Sequence, residues 1–457
     1  MDTKKALAVE ILRRLRDRGH TALLAGGCVR DMLMGISPSD YDIATSASPK
    51  EVTGLFEKTI PVGAQFGVII VLKEGHPFEV ATFRSEGPYS DGRHPDSVSF
   101  CDPEGDARRR DFTINGMFYD PIQERLLDYV SGQQDIKSRL IRTIGEPHDR
   151  IKEDRLRMIR AVRFASRFEY EIEESTRRAV QEYAPKILTV SCERIREELE
   201  KILVHRNRSI GIKLLDELGL LEHVLPEITK MKGVKQPDNL HPEGDVFTHT
   251  LLTISHLEDT SWVLAMGALL HDVAKPVTWE LRDGRIRFPY HEGIGAEMAG
   301  NICDRLRTSK EEKERIAWLV KRHMAFKDAR KMKMSTLKRL LSHPDYPLLA
   351  EVCRVDALAS TGDLSDYNYC QEMRGRLKEE EIKPQRLVNG YDLIALGLKP
   401  GPPFSGILDR LYDEQLEGRL RTREEALNEA REMVAEVLGG GIKGRKGDGS
   451  IFKKGDN

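Results

Sequence analysis

Two carboxylates, Asp40 and Asp42, stand about 14 residues after a Gly26-Gly27 pair in the segment LLAGGCVRDMLMGISPSDYDIAT. On a strand, residues two apart project from one face, so these like charges would crowd together. A divalent cation between them relieves the repulsion, and magnesium is commonly held by one or two carboxylates plus substrate phosphates. Glycines let the backbone come close to a phosphate. A Gly-Gly turn alone fits any strand-to-helix turn, and a lone DxD fits a solvated loop. Together they point to phosphoryl or nucleotidyl transfer. A third acidic ligand would have to come from a neighbouring strand, and Glu79 lies in the β-like run PFEVATFR.

Other residues could read a nucleotide. Arg110 and Asp111 place a fixed cation and an acceptor beside the apolar TINGMF run. Asp154 and Arg157, in EDRLRMIR, are three apart and on a helix would share a face. A carboxylate accepts from an exocyclic amine while a guanidinium donates to a ring nitrogen or carbonyl, so the pair can face one planar base as a base edge would. C and A could then be selected without a template. A surface ion pair has the same spacing.

These residues need elements to hold them. The first 130 residues mix a helix, a glycine turn and β-like runs such as VGAQFGVIIVLK and HPFEVATFR, which predicts an α+β fold, a sheet packed with helices. From about Ile141 strand-like alternation nearly vanishes, and helical stretches follow to about Leu438. TFRSEGPYSDGRHPDSVSF reads as a long exposed loop carrying Arg84, Glu86, Tyr89, Asp91 and Arg93. The 457 residues suit two to four domains. Lys and Arg total 72 against 74 Asp and Glu, a net charge of -2, which excludes a globally basic protein and makes any nucleic-acid surface local. No apolar run approaches the roughly 20 residues of a bilayer span. The N-terminal MDTKKALAVEILRRLRDRGH has apolar residues at helical spacing among charges, unlike a secretion signal, so a cytoplasmic location is expected. Six cysteines without CxxC pairs read as reduced, structural thiols.

The pattern GGxVRDxLxGxxxxDxD resembles the signature of nucleotidyltransferases with a DNA polymerase β-like head. RRDFTINGMFYD (109–120), EDRLRMIRAVRFASRF (153–168) and CERIREELEKIL (192–203) look, in the same order, like later motifs of bacterial tRNA nucleotidyltransferases and poly(A) polymerases. The resemblance implies that Asp40, Asp42 and Glu79 serve catalysis, the first two holding Mg2+. It implies that Gly26, Gly27, Arg30, Arg110, Asp111, Asp154, Arg157, Arg160 and Arg163 bind the nucleotide. The loop after Thr82 resembles the flexible loop of enzymes able to add a terminal A, with His94 where many relatives carry arginine.

In the helical half, His249, the His271-Asp272 pair and Asp356 resemble the H…HD…D pattern of HD domains. That pattern implies a divalent metal (Mg2+, Mn2+ or Ni2+) able to activate water for phosphoester hydrolysis, with His291 and His323 as possible ligands of a second ion. A lone His on an apolar helix is ordinarily a packing residue, so the order of the set carries the reading. LVNGYDLIALGLKPGPPFSGILDRL looks like the carboxy-terminal body of the tRNA enzymes, and KDARKMKMSTLKR (327–339) could contact phosphates. The expected division is a nucleotidyltransferase head over 1–140, a helical neck with the nucleobase motif over 141–236, an HD domain over 237–369, a tRNA-binding body over 370–440 and a disordered basic tail over 441–457. The implied activity is template-independent addition of CCA to tRNA 3′ ends from CTP and ATP. A-only addition and poly(A) synthesis are alternatives, and an HD-type phosphohydrolase with an inactive head is the reading from a different class.

Overall fold

The computed structural model describes residues 3–63, 66–87 and 97–439. Near the N-terminus nine strands are described: β1 (Ala22–Ala25), β2 (Ile43–Thr45), β3 (Thr59–Gly63), β4 (Val68–Lys73), β5 (His76–Thr82), β6 (Arg84–Glu86), β7 (Val98–Phe100), β8 (Phe118–Asp120) and β9 (Arg125–Leu127). Seven form one mixed sheet in the order β3-β4-β5-β2-β1-β8-β9. β2 and β5 pair in parallel, Ile43 opposite Val80, and the other neighbours are antiparallel.

Period-two alternation turns Ile69 and Val71 of β4 and Phe78 and Val80 of β5 toward one core. The helix Thr3–Arg16 covers that core with Leu7, Ala8, Ile11, Leu12 and Leu15, whose spacing keeps a single apolar face. Each fully buried aliphatic side chain contributes about 1.5–3 kcal/mol. Leu23, Ala25, Ala44, Phe83, Ala107 and Phe118 form a second cluster. Strands buried this way read as unbroken apolar runs, as ALLA does.

Two expectations are corrected. The segment after Thr82 is not all loop, because β6 and β7 pair antiparallel (Arg84 with Phe100, Glu86 with Val98). The Arg84 guanidinium ties this stem by donating to Glu86 and to the Phe66 carbonyl. Tyr89, Asp91, Arg93 and His94 lie outside the described residues, as does the 441–457 tail. Strand structure also persists beyond Ile141. Leu140–Ile141 pairs in parallel with Glu171–Ile172, and Glu280–Arg282 forms a hairpin with Arg285–Arg287. Its turn is Asp283-Gly284, with φ of 52° and 71°, the two-residue geometry that Asp-Gly favours.

The chain divides into two compact units, one of residues 1–321 with 359–361, the other of 322–358 with 362–457. In the first, the helix Arg157–Phe168 packs on Arg208–Glu217, which packs on Val246–Ser255. Arg208 is fully buried there. It donates to the carbonyls of Leu203 (2.8 Å), Ile254 (3.2 Å), Leu257 and Glu258 (3.3 Å), the second in the last turn of Val246–Ser255 and the last two just beyond it. The second unit has its own core around Leu393, Leu398, Ile407, Leu411, Ala430 and Val434. There the stretch 327–339 commits cations to internal pairing. Arg330 bonds Asp366 and lies 4.5 Å over the Tyr369 ring, Arg339 donates to Asp413 at 2.7 Å, and Lys338 donates to the Leu416 carbonyl.

Candidate active site and metal cluster

The strand-to-helix turn after β1 depends on Gly26, whose φ is 69°. A Cβ there would stand 2.8 Å from an Arg110 nitrogen. Asp40 and Asp42 precede β2 rather than lying within it. Tyr41 between them is buried while both carboxylates are exposed, so the alternation extends ahead of the ladder and they share a side. Because Ile43 pairs with Val80, Asp42 and Glu79 each stand one residue ahead of a paired position on adjacent parallel strands. Asp42 reaches solvent, yet its carboxyl is pushed up to about 6. Desolvation on its protein side acts first, then the like charge of Glu79, with Arg110 opposing and Asp40 adding to the rise. Asp40 accepts from Ser39 Oγ at 3.1 Å and Lys4 Nζ at 3.4 Å. Two carboxylates on one side, with a third on the adjacent strand, suit a divalent cation.

A cavity of about 460 Å³ opens beside Asp42. It is lined by Gly26, Gly27, Asn115 and Phe164, by Arg30, Arg109, Arg110, Arg157, Arg160, Arg163 and Arg167, and by Asp42, Glu86, Asp111 and Asp154. The expected nucleotide-binding residues all meet here, while Asp40 and Glu79 are not among its lining. Arg30 donates to Asp31 (2.8 Å) and Asn115 (2.6 Å) and lies 4.8 Å over the Phe168 ring. Arg110 bonds Asp106 at 3.0 Å. Asp111 accepts from the Phe112 N–H (2.8 Å), Asn115 Nδ2 (3.1 Å) and Arg160 Nε (2.8 Å). Burial pushes its carboxyl up, but the Arg160 charge and these bonds outweigh it and hold the group well below the usual carboxylate range. Glu198, buried, pairs with Arg163 at 3.1 Å and lies 3.9 Å from Arg160. Burial lowers Arg163 to about 10 despite Glu198.

Asp154 and Arg157 do not share one helix, which corrects the sequence reading. The helix Pro147–Glu153 ends at Asp154, whose backbone is extended (φ -144°, ψ 105°), and the next helix begins at Arg157. The Leu156 N–H donates to Asp154 Oδ1 at 3.1 Å, closing the turn. Both side chains still line the cavity, Arg157 being held by Glu153 at 2.6 Å. Arg194, on the helix Cys192–Leu203, grips both Asp154 oxygens at 3.2 and 2.8 Å. Arg194, Glu198 and Asn115 were missed. The signal for the first two was their four-residue spacing within CERIREELEKIL, which puts them on one helical face.

A second constellation lies in the helical part of the first unit. His249 is on the helix Val246–Ser255, His271-Asp272 follows Trp262–Leu270, and His291 opens His291–Arg305. All four are buried. His271 Nδ1 bonds the Ala268 carbonyl at 2.7 Å, His249 Nδ1 bonds Glu243 at 2.6 Å, and His291 Nδ1 bonds the Phe288 carbonyl at 2.8 Å. An acceptor on Nδ1 places that ring's proton there and leaves Nε2 as a lone pair. The Nε2 atoms of His249 and His271 face each other at 3.3 Å, and Asp272 Oδ2 is 3.2 Å from His271 Nε2. His291 Nε2 lies 3.7 Å from Asp272 Oδ1. Lys275 pairs with Asp272 Oδ2 at 2.7 Å. The facing Nε2 lone pairs still repel unless a proton or a cation sits between them, and imidazole with carboxylate suits a divalent transition metal. Asp356 and His323 belong to the second unit.

Family models match three consecutive parts of the chain: the poly A polymerase head domain over residues 22–142, the "probable RNA and SrmB-binding site of polymerase A" over 169–232, and the HD domain over 246–360. The CCA-adding enzyme of Bacillus licheniformis is 43% identical over 230 residues, 50% of this chain and 57% of that protein. That of Geobacillus thermodenitrificans is 44% identical over 214 residues, 47% and 53% respectively. The chain spans little more than half the length of these curated relatives. Among solved structures, the Bacillus stearothermophilus CCA-adding enzyme in complex with CTP aligns with a TM-score of 0.73 at 25% identity, covering 96% of this chain and all of that one. The Thermotoga maritima CCA-adding enzyme complexed with tRNA aligns at 0.57 and 21% identity over 96% of each chain and shares the fold.

Proposed function

We propose that this chain, a member of the bacterial tRNA nucleotidyltransferase and poly(A) polymerase family, adds C, C and A to the 3′ end of tRNA from CTP and ATP without a template. One observation carries the reading: a single cavity joins the carboxylate edge, a cluster of arginines and the Asp154/Arg157 pair. Asp40 and Asp42, with Glu79 beside them, would hold Mg2+. When bound, that ion activates a hydroxyl nucleophile and offsets charge on the phosphates.

The protein's own groups do the rest. Arg110, Arg160 and Arg163 present guanidinium forks to the triphosphate, with Arg30 and the Gly26-Gly27 backbone behind them. Asp111 takes a sugar hydroxyl. Asp154, held in place by Arg194, accepts from the exocyclic amine of C or A, and Arg157 donates to the adjacent ring nitrogen. U and G offer a carbonyl where that amine would be, leaving Asp154 opposed by an acceptor. The head, neck, HD and body divisions given above are part of this reading, as is a cytoplasmic location. No described helix is long and apolar enough to cross a membrane.

A second reading applies to the His249, His271 and Asp272 cluster. Of the expected Mg2+, Mn2+ and Ni2+, its facing imidazoles favour the two transition ions over Mg2+, and such an ion would support a phosphohydrolase activity separate from the head.

The test supplies purified protein and magnesium with tRNAs ending at the discriminator base, at C and at CC, with labelled CTP or ATP singly and together. Sequential addition of C, C and A to the shortest tRNA is expected, and Asp42→Ala should abolish it. Addition of A alone to the CC-ended tRNA would make the protein an A-adding enzyme. Untemplated A tracts would make it a poly(A) polymerase, and no incorporation would overturn the head assignment.

A further inference from the structure

Glu243 sits in the turn before the helix Val246–Ser255, outside the H…HD…D set. Its position is fixed from both sides. His241 N–H donates to the Pro237 carbonyl at 2.9 Å, and Asp245 caps the helix by accepting from the Thr248 N–H at 2.8 Å. Glu243 Oε1 lies 2.6 Å from His249 Nδ1 and 2.9 Å from His241 Nδ1. The two rings stand edge to face, 4.9 Å apart. The Glu243 side chain is only 7% exposed, and its second oxygen, Oε2, is buried with no hydrogen-bond partner. A surface glutamate would hydrate both oxygens. Here a desolvated anion is kept directly behind an imidazole whose other nitrogen faces His271 and Asp272.

We propose that Glu243 is a positioning residue for a divalent ion at His249, His271 and Asp272. It fixes the His249 tautomer, makes Nε2 a stronger donor to the ion and adds negative charge behind it. His241 shares the carboxylate and thereby tempers it, and is not itself a ligand. The inference rests on the metal reading of that cluster. His241, Glu243 and His249 also lie close enough together to be taken for a separate ion site. That alternative is disfavoured because His249 Nδ1 already bonds Glu243 at 2.6 Å, which leaves that nitrogen no lone pair for an ion.

The test uses the metal-stripped full chain carrying Asp42→Ala, so that the head carboxylates add no signal. Co2+ is titrated by calorimetry and by its visible d–d absorption. Glu243→Gln should weaken binding about 10–100-fold, while His241→Ala should keep the same number of bound ions at undiminished affinity. Unchanged affinity in Glu243→Gln would overturn the proposal, as would loss of one bound ion in His241→Ala. Glu243→Asp, which withdraws the charge by one methylene, guards against misfolding: it should bind more weakly while melting like its parent without metal. His271→Ala separates the two failures. If it takes up Co2+ like its parent, the metal reading itself falls. If it alone loses Co2+, only the role of Glu243 falls.

Discussion

At Gly26 two constraints coincide: a φ of 69° that disfavours any side chain, and an Arg110 nitrogen 2.8 Å from where a Cβ would sit. Gly26→Ala therefore stores about 1–3 kcal/mol of backbone strain and pushes the guanidinium away from Asp106. The expected result is an unfolding free energy in urea lowered by that amount together with a raised KM for CTP in the proposed reaction; a raised KM with no loss of stability would mean that the turn relaxes. Individual residues were legible where their partners lie near in the chain, as with Asp40 and Asp42. Arg194 and Glu198 were not, because the groups they hold, Asp154 and Arg163, are 40 and 35 positions away. Only the packing of Cys192–Leu203 against Arg157–Phe168 and the turn before it brings them together.

Helix ends decide where Asp154 and Arg157, the pair proposed to read the base, stand. A continuous helix would have put Asp154 and Arg157 on one face, whereas the break at Asp154 frees its carboxylate for Arg194. The one signal of that break in EDRLRMIR is Asp154 itself, a residue type that favours turns and helix starts; the Asp-Gly pair at 283–284 is a stronger turn signal, yet the hairpin there was not expected. The helix Glu174–Tyr183 offers a test at this scale. Its cap, Glu173, is raised by burial but lowered further by bonds from Ser175 and Thr176, to about 2 against an ordinary 4.5. A depressed carboxyl contributes stability above its unfolded pKa and loses it as pH falls toward the folded value. Melting temperatures of wild type and Glu173→Gln should differ at pH 7 and converge between pH 4.5 and 2. A constant gap would show that the cap acts through geometry alone.

For the whole molecule, the change from sheet to helix near residue 141 was legible because the period of apolar residues changes there. The pairing of strands distant in sequence, such as β1 with β8, was not. The net charge of -2 conceals a local excess, because seven arginines and four carboxylates line one cavity. The proposed tRNA binding should likewise depend on salt despite the acidic balance, because phosphate contacts are local and not set by net charge. About four phosphate contacts to a single strand predict a roughly 50-fold loss of affinity from 50 to 200 mM salt. Filter binding across that range checks it, and a flat profile would exclude phosphate contacts as the main term.

The pairing of Arg160 with Asp111, of Arg163 with Glu198 and of Arg110 with Asp106 has a further consequence. These carboxylates are resident counterions fixed to the chain itself, so the guanidiniums of the cleft are already paired before any anion arrives. An arriving polyanion would swap partners with them and would not have to gather scattered cations. How firmly a polyanion settles would then depend on how its charges match the spacing of the forks, with choice of base left to the proposed Asp154 and Arg157 pair.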